Sequence, residues 1–354
     1  MSRRLITSIE IDGAGGHPAA WRGAEVDPSA ILTGELALRA VQRAEAAGID
    51  FATFVDTLEA PADDASRVSA RLDALGLAAR IAPSTSRIGL IPTLTVTHTE
   101  PFHLQASVAT LDFVSEGRAG WLAEVSSSAE AAAVIGRREP AEAAETWREA
   151  RYVVDVSRQL WDSWEDDAII RDASTGRFID RERIHYVDYE SPNFKVKGPS
   201  IVPRSPQGHP LTAVRFNTPE ALQVAVEADL VLLPGVTEVE ERLAVVRAAS
   251  TTPKVLVSVS VLLDDEERAA GVGVDYVGGV DGLADLIGEW QAAGVDGVHL
   301  RPASLELDVP VIAERLVPLL RERELVGPVV ERATSLRNRL GLKRPANRYA
   351  GSRG

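Results

Sequence analysis

The chain has 354 residues, no cysteine, one methionine at position 1 and a formal net charge of −14 at pH 7. Without thiols there is no disulfide framework, no thiolate metal site and no cysteine nucleophile. The acidic balance opposes nucleic acid and anionic membrane as partners. The start MSRR leads into LITSIEID, and nowhere do 18 uncharged apolar residues run together, so neither a signal peptide nor a membrane span is expected and the expected location is cytoplasmic.

In chain order, short β-branched runs alternate with long Ala/Leu/Glu/Arg stretches. Residues 5–11 read as the first strand and 31–47 as the first helix, ended by Gly48. Strands at 51–55, 87–96 and 119–125 then alternate with helices at 66–82, 100–114 and 141–164. The rhythm breaks over 165–208, where 184–189 and 193–197 flank the turn Glu190-Ser191-Pro192 and predict a hairpin inserted beside the barrel mouth. Strands five and six begin at Leu211 and Leu230, a helix runs through Ala249, and strand seven covers 255–262. A helix at 281–293, a last strand at 297–300 and a helix at 309–324 complete the pattern.

Eight such units predict parallel crossovers and an α/β fold of the (β/α)8 TIM-barrel type, with the hairpin insertion after helix four. It forms a single domain over 1–342, and the basic, small-residue tail 343–354 is expected to be flexible for want of an apolar partner. The alternative is an open doubly wound sheet, but Gly13-Ala14-Gly15-Gly16 leads to no immediate helix and is no dinucleotide fingerprint. Apolar faces at 37–46 and 106–114 predict self-association as a homodimer.

Strand five runs into Thr218-Pro219-Glu220, a helix start whose hydroxyl can cap and whose free N–H groups offer a place for a phosphate. The six histidines, at 17, 98, 103, 185, 209 and 299, lie in no metal-ligand spacing, so no metal is expected. His299 sits on the last strand and points either into the barrel or at the helix layer. Trp161 and Trp164 read as anchors of helix four, and the acids at 264–267 as a solvated helix start.

Seven strings in order carry a resemblance that runs nearly end to end: HPAAW, RIGLIPTLTVTHTEPFHL, TLDFVSEGRAGW, LWDSWEDDA, the FKVKGP to PQGHP block, YVGGVDGLADLIGEWQAAGVDGVHL and LRNRLGLKRPANRY. Together they resemble the bacterial-luciferase-like flavin monooxygenases, in particular the two-component enzymes that attack nitrilotriacetate and dibenzothiophene sulfone. The chain is shorter than typical members, and the shortfall falls between strands six and seven, where one helix separates Pro234 from Lys254.

The resemblance implies reduced FMN handed over by a separate flavin reductase, a flavin peroxide as the oxidant, and a small organic substrate held in a dry barrel mouth. It puts Asp56 near the flavin, although a strand-end acid also serves as a loop cap. Thr93 and Thr95 share one strand face and would offer hydroxyls to the isoalloxazine edge, or simply fill the strand. His17 matches a family position at the mouth and is the candidate to touch substrate or flavin, against a satisfied loop histidine.

The chain also departs from the family. An asparagine is missing where it reads Leu122-Ala123-Glu124-Val125-Ser126, and Ala143 and Trp147 replace a His and a Tyr that hold the phosphate. The small loop after strand five is Arg215-Phe216-Asn217-Thr218, with Phe216 where a glycine would let a phosphate approach. Glu124, Ser126 and Trp147 thus occupy family cofactor positions, and Arg215, Asn217, Thr218 and the hydroxyls at 126–128 are the substitute partners for the phosphate. Arg215 is the principal one unless a carboxylate claims it. Other readings are an oxidoreductase using the deazaflavin F420 and a non-catalytic barrel serving as a subunit or binding protein.

Overall fold

The computed structural model describes residues 4–22, 29–59, 70–264, 273–329 and 334–350. Thirteen strands can be labelled in chain order among the described residues. The first four are β1 (Ile6–Ile11), β2 (Phe51–Phe54), β3 (Gly89–Thr95) and β4 (Gly120–Glu124). Two outlying hairpins follow, β5 (Ile169–Asp172) with β6 (Arg177–Ile179), and β7 (Val187–Glu190) with β8 (Lys195–Gly198). The last five are β9 (Leu211–Arg215), β10 (Leu230–Pro234), β11 (Lys254–Leu263), β12 (Tyr276–Gly278) and β13 (Gly297–Pro302). The ring runs β1-β2-β3-β4-β9-β10-β11-β13 and closes by β13 pairing with β1, every pair being parallel. It is the expected (β/α)8 barrel, with β12 as a short addition beside β11.

The pleat sends alternate residues of each strand to opposite sides. Ile9, Phe54, Trp121, Val214, Val257 and Leu300 join the outer core beneath the helices. The helix Glu35–Ala47 buries Leu36, Ala37, Ala40, Val41 and Ala44, a stripe at helical spacing, against that layer. The helix Pro101–Val114 buries Leu104, Val108 and Leu111 in the same way. The apolar faces expected to drive dimerisation therefore face their own barrel, and at the end of the second helix only Phe113 and Val114, 43% and 48% exposed, are left outside. Gly34, at φ 72°, splits the expected first helix into Ala30–Thr33 and Glu35–Ala47. The second begins only at Ala74, capped by Asp73, and part of its expected range lies outside the described residues. No helix among the described residues is long and apolar enough to cross a membrane.

Inside the ring, Phe51, Ile91, Leu122, Leu211, Leu230 and Leu256 make an apolar floor at the strands' N-terminal end. The C-terminal helix Leu336–Arg339 plugs it with Leu336, helped by Leu340. Gly89 is required there, because a Cβ at that position would stand 2.6 Å from the Leu336 side chain. Arg337 latches the plug by donating to Asp229 at 2.7 Å and to the His209 carbonyl.

Two expectations about peripheral segments are corrected. Residues 343–350 have partners: Arg344 pairs with Asp166 at 2.6 Å, Asn347 donates to the Asp162 and Trp164 carbonyls, and Tyr349 stacks on His185 with ring centroids 4.4 Å apart. Residues 351–354 lie outside the described residues. The excursion at 165–208 forms the expected hairpin, as β7–β8, plus the unforeseen β5–β6, but it does not stand beside the mouth. Val187 and Val196 pack on Val156 and Leu160 of the helix Ala143–Asp162, and Arg204 and Gln207 tie the segment to Asp162 and Asp112 near the floor. That helix runs back antiparallel to the strands, so a segment leaving its C-terminal end starts at the floor.

Candidate active site at the barrel mouth

Polarity rises along the inside of the barrel. One step above the floor, the His299 ring hydrogen-bonds the Thr53 hydroxyl through Nε2 and the Ser258 hydroxyl through Nδ1, each at 2.8 Å. Burial, reinforced by the positive charges of Arg215 and Arg301, holds this imidazole well below its ordinary pKa, so it is neutral. Register carries the same inner face upward: Glu10 follows Ser8 on β1, Ser260 follows Ser258 on β11, and Arg301 follows His299 and pairs with Ser260.

The next layer is charged. Arg215, at the end of β9, donates to Glu10 and lies 3.6 Å from Glu124 of β4. Arg301 stands 3.8 Å from Glu10 and 3.8 Å from Asp275, whose carboxylate also accepts from the Ser260 backbone and hydroxyl. Burial raises the Glu124 carboxyl above its ordinary range, with Arg215 opposing. Asp12, just past β1, is pushed up to about 6 by burial and then by the neighbouring Glu10, against weaker pulls from Arg71, Arg215 and Arg301.

The loop after β1 is fixed to the loop after β13. Gly16 and His17 donate their backbone N–H groups to the Pro302 and Ala303 carbonyls, and Leu305 donates to Ala14. Gly15 permits this approach, since at φ 136° a Cβ would meet the Ala303 carbonyl at 2.3 Å. The His17 Nδ1 accepts from the Ala19 N–H at 2.9 Å, which leaves the proton of the neutral ring on Nε2. That Nε2 is buried without a partner.

Two cavities open at the mouth. One of about 300 Å³ is bounded by Glu10, Asp12, His17, Arg215, Ser260 and Arg301. The other, of about 380 Å³, is bounded by Asp56, Thr57, Thr93, Thr95, His103 and Ser107. In the second, the Thr93 hydroxyl is buried without a partner, while the Thr95 and Ser126 hydroxyls bond each other at 2.8 Å. Charged side chains converging at the carboxyl ends of barrel strands mark a catalytic mouth.

A family model for luciferase-like monooxygenases matches residues 16–296. The chain belongs to the luciferase-like monooxygenase family. N-acetyl-S-(2-succino)cysteine monooxygenase of Bacillus subtilis (strain 168) is 25% identical over 98% of this chain and 99% of its own length. Nitrilotriacetate monooxygenase component A of Aminobacter aminovorans is 30% identical over 78% of this chain and 67% of its own. In fold, a riboflavin lyase solved with modified FMN and riboflavin superposes at a TM-score of 0.86 over 98% of each chain, at 21% identity. As a member of the family this chain is a flavin-dependent monooxygenase, an oxidoreductase.

The residues singled out in this luciferase-like chain divide sharply. His17, Arg215 and Glu124 converge on the side of the mouth that carries the guanidiniums, and Asp56, Thr93, Thr95 and Ser126 on the side rich in hydroxyls. Asp56 also plays its alternative role, accepting from the Thr57 and Ala74 N–H groups at 2.8 and 2.9 Å. Trp147 is corrected: it is fully buried in the core between helix and barrel and borders neither mouth cavity. Phe216 likewise points outward into that core, because it falls on the outer face of the strand's pleat, and it blocks no phosphate. Arg215 has the fate of an ion-paired arginine, with two carboxylates already beside it. Asn217 is exposed, and the Thr218 hydroxyl is buried without a partner and makes no cap bond.

Glu10, Asp12, Asp275 and Arg301 were not anticipated, and neither was the place of His299. Their signal is a period of two: Ser8 then Glu10 in ITSIEI, and His299 then Arg301 in GVHLRP, polar residues recurring on one face of otherwise apolar strands.

Proposed function

We propose that the mouth binds reduced FMN, delivered by a separate flavin reductase, on its hydroxyl-rich side and a small organic substrate on the side that carries Arg215 and Arg301. The observation that carries this reading is Thr93, which borders the 380 Å³ cavity beside the Thr95–Ser126 pair and whose hydroxyl is buried without a partner among the described residues. A buried hydroxyl left unbonded is costly, and a flat ring edge rich in nitrogen and oxygen satisfies it. Asp56, fixed by two backbone N–H groups, borders the same space.

For the flavin's phosphate, Arg138 suits better than Arg215. It donates to the Thr97 carbonyl, just past β3, and pairs with the single carboxylate of Glu149 at 2.6 Å, while its Nε is buried without a partner. His98 stands near enough for burial and then the Arg138 charge to lower its pKa, and its Nε2 is also buried and unpartnered. The Thr218 hydroxyl is a third unused donor. Bound reduced flavin supplies the activation of oxygen and the transfer of one oxygen atom. The protein's own part is a closed apolar floor, a neutral His299 network beneath the reactants, and charged groups that orient the substrate.

The acids named for the two relatives are not carried over, since the mouth here already presents several carboxylates. The test is anaerobic titration with reduced FMN, and with F420 alongside. Wild type is expected to bind reduced FMN, and Arg138→Ala to weaken it about tenfold or more, the worth of a hydrogen bond to a charged group. Arg215→Ala is expected to have the smaller effect. F420 binding in preference to FMN, or no flavin binding at all, sinks the reading.

A further inference from the structure

We infer that the substrate is a small amine, bound as its cation against Asp12. This rests on the mouth being the active site and names the class of molecule it takes.

The charge arrangement at the mouth carries the argument. Among the described residues, Glu10, Glu124 and Asp275 each have a guanidinium within 4 Å, and Asp275 has the Ser260 donors as well. Among the described residues, Asp12 has neither an ion pair nor a hydrogen bond to its carboxyl, although it borders the 300 Å³ cavity and is half-buried. The cations that act on it do so at longer range. Arg215 and Arg301 are each held by two other carboxylates, and Arg71 is exposed. Its raised pKa follows from burial first and from the neighbouring Glu10 second.

A ligand cation would supply what the protein withholds. An ammonium group donates to Asp12, the cavity carboxylate that has no guanidinium within 4 Å among the described residues, and stabilises its ionised form. A carboxylate ligand meets the opposite situation: it must compete with Glu10, Glu124 and Asp275 for Arg215 and Arg301 while lying beside Asp12. A hydrocarbon would leave the Asp12 carboxylate without a partner in a partly enclosed site. The cavity volume, about 300 Å³, is at the small end for ligand sites, so the amine is compact.

The experiment is calorimetric binding at neutral pH to the full chain, with and without reduced FMN, of three probes on one skeleton: phenethylamine, 3-phenylpropionate and 2-phenylethanol. The amine is expected to bind about tenfold tighter than the other two, the worth of one charge-assisted hydrogen bond. Asp12→Asn should abolish that preference. Equal binding of the alcohol, tighter binding of the carboxylate, or no binding of any probe overturns the inference. So does an amine preference that Asp12→Asn leaves intact. The wild-type comparison decides by itself even if the variant folds poorly. Amine preference without any flavin binding supports this inference while overturning the flavin assignment, so the two fail separately.

Discussion

The two ends of one barrel are built from the same inward-facing positions and do opposite work. At the N-terminal end those positions are Phe51, Ile91, Leu122 and Leu256, sealed by Leu336. Two to four residues further along the same strands they become Thr53, Thr93 and Thr95, Glu124, and Ser258 and Ser260, and on the neighbouring β1 and β13 the same inner face carries Ser8, Glu10, His299 and Arg301. The floor buries apolar area, which stabilises, while the mouth holds half-buried charges and hydroxyls without partners, which do not. The contrast teaches that polar character inside this barrel marks function by its height along the strand.

If that division is right, damage at the floor should cost stability and leave ligand affinity alone. Removing the Arg337 latch should have the largest effect, because it strands the largely buried Asp229. Arg337→Ala should lower unfolding free energy by about 3–5 kcal/mol in a urea titration. Leu336→Ala opens a cavity under the plug and should cost about 2–4 kcal/mol by the same assay.

The mouth should respond the other way round. Glu10→Gln takes from Arg215 the nearer of its two carboxylates but leaves Glu124 and an amide oxygen to accept, so most of the activity should go in a turnover assay while the unfolding free energy falls by no more than about 1 kcal/mol. For Asp12 the sign follows from its raised pKa, about 6 against an ordinary 3.8. The folded state holds this proton more tightly than the unfolded one, so its contribution is full below about pH 4 and is lost as pH rises through 6. Asp12→Asn removes the titration. The stability of the variant relative to wild type should therefore climb between about pH 4 and 7, by on the order of 1–3 kcal/mol, and level off above.

The barrel was legible in the sequence because strand and helix periods are local, and its outward strand faces are continuous apolar runs such as those flanking Val257 and Val214. The plug at Leu336 and the docking of residues 343–350 were not, since their partners, Phe51, Asp166 and His185, are remote in sequence. At the mouth, matching family positions picked out Asp56, Thr93 and Thr95, which border one cavity. It missed Glu10 and Arg301, which become a site only when ring closure sets β1 beside β13 and brings Arg215 across to Glu10. Trp147 and Phe216 were misjudged because alignment by position ignores which face of helix or strand a residue occupies.

The most direct test crosses the two ends. Thr93→Val removes a hydroxyl that is buried without a partner, so it should leave stability unchanged or slightly raised while weakening reduced FMN about fivefold, the worth of about 1 kcal/mol. Leu336→Ala should do the reverse, losing stability with reduced-FMN affinity unchanged under conditions where the protein stays folded. Both quantities are read for both variants, by urea unfolding and by anaerobic titration. The account predicts that the two effects separate in this way. If Thr93→Val destabilises the protein without touching flavin affinity, or Leu336→Ala weakens flavin as much as Thr93→Val does, the separation of floor from mouth is contradicted.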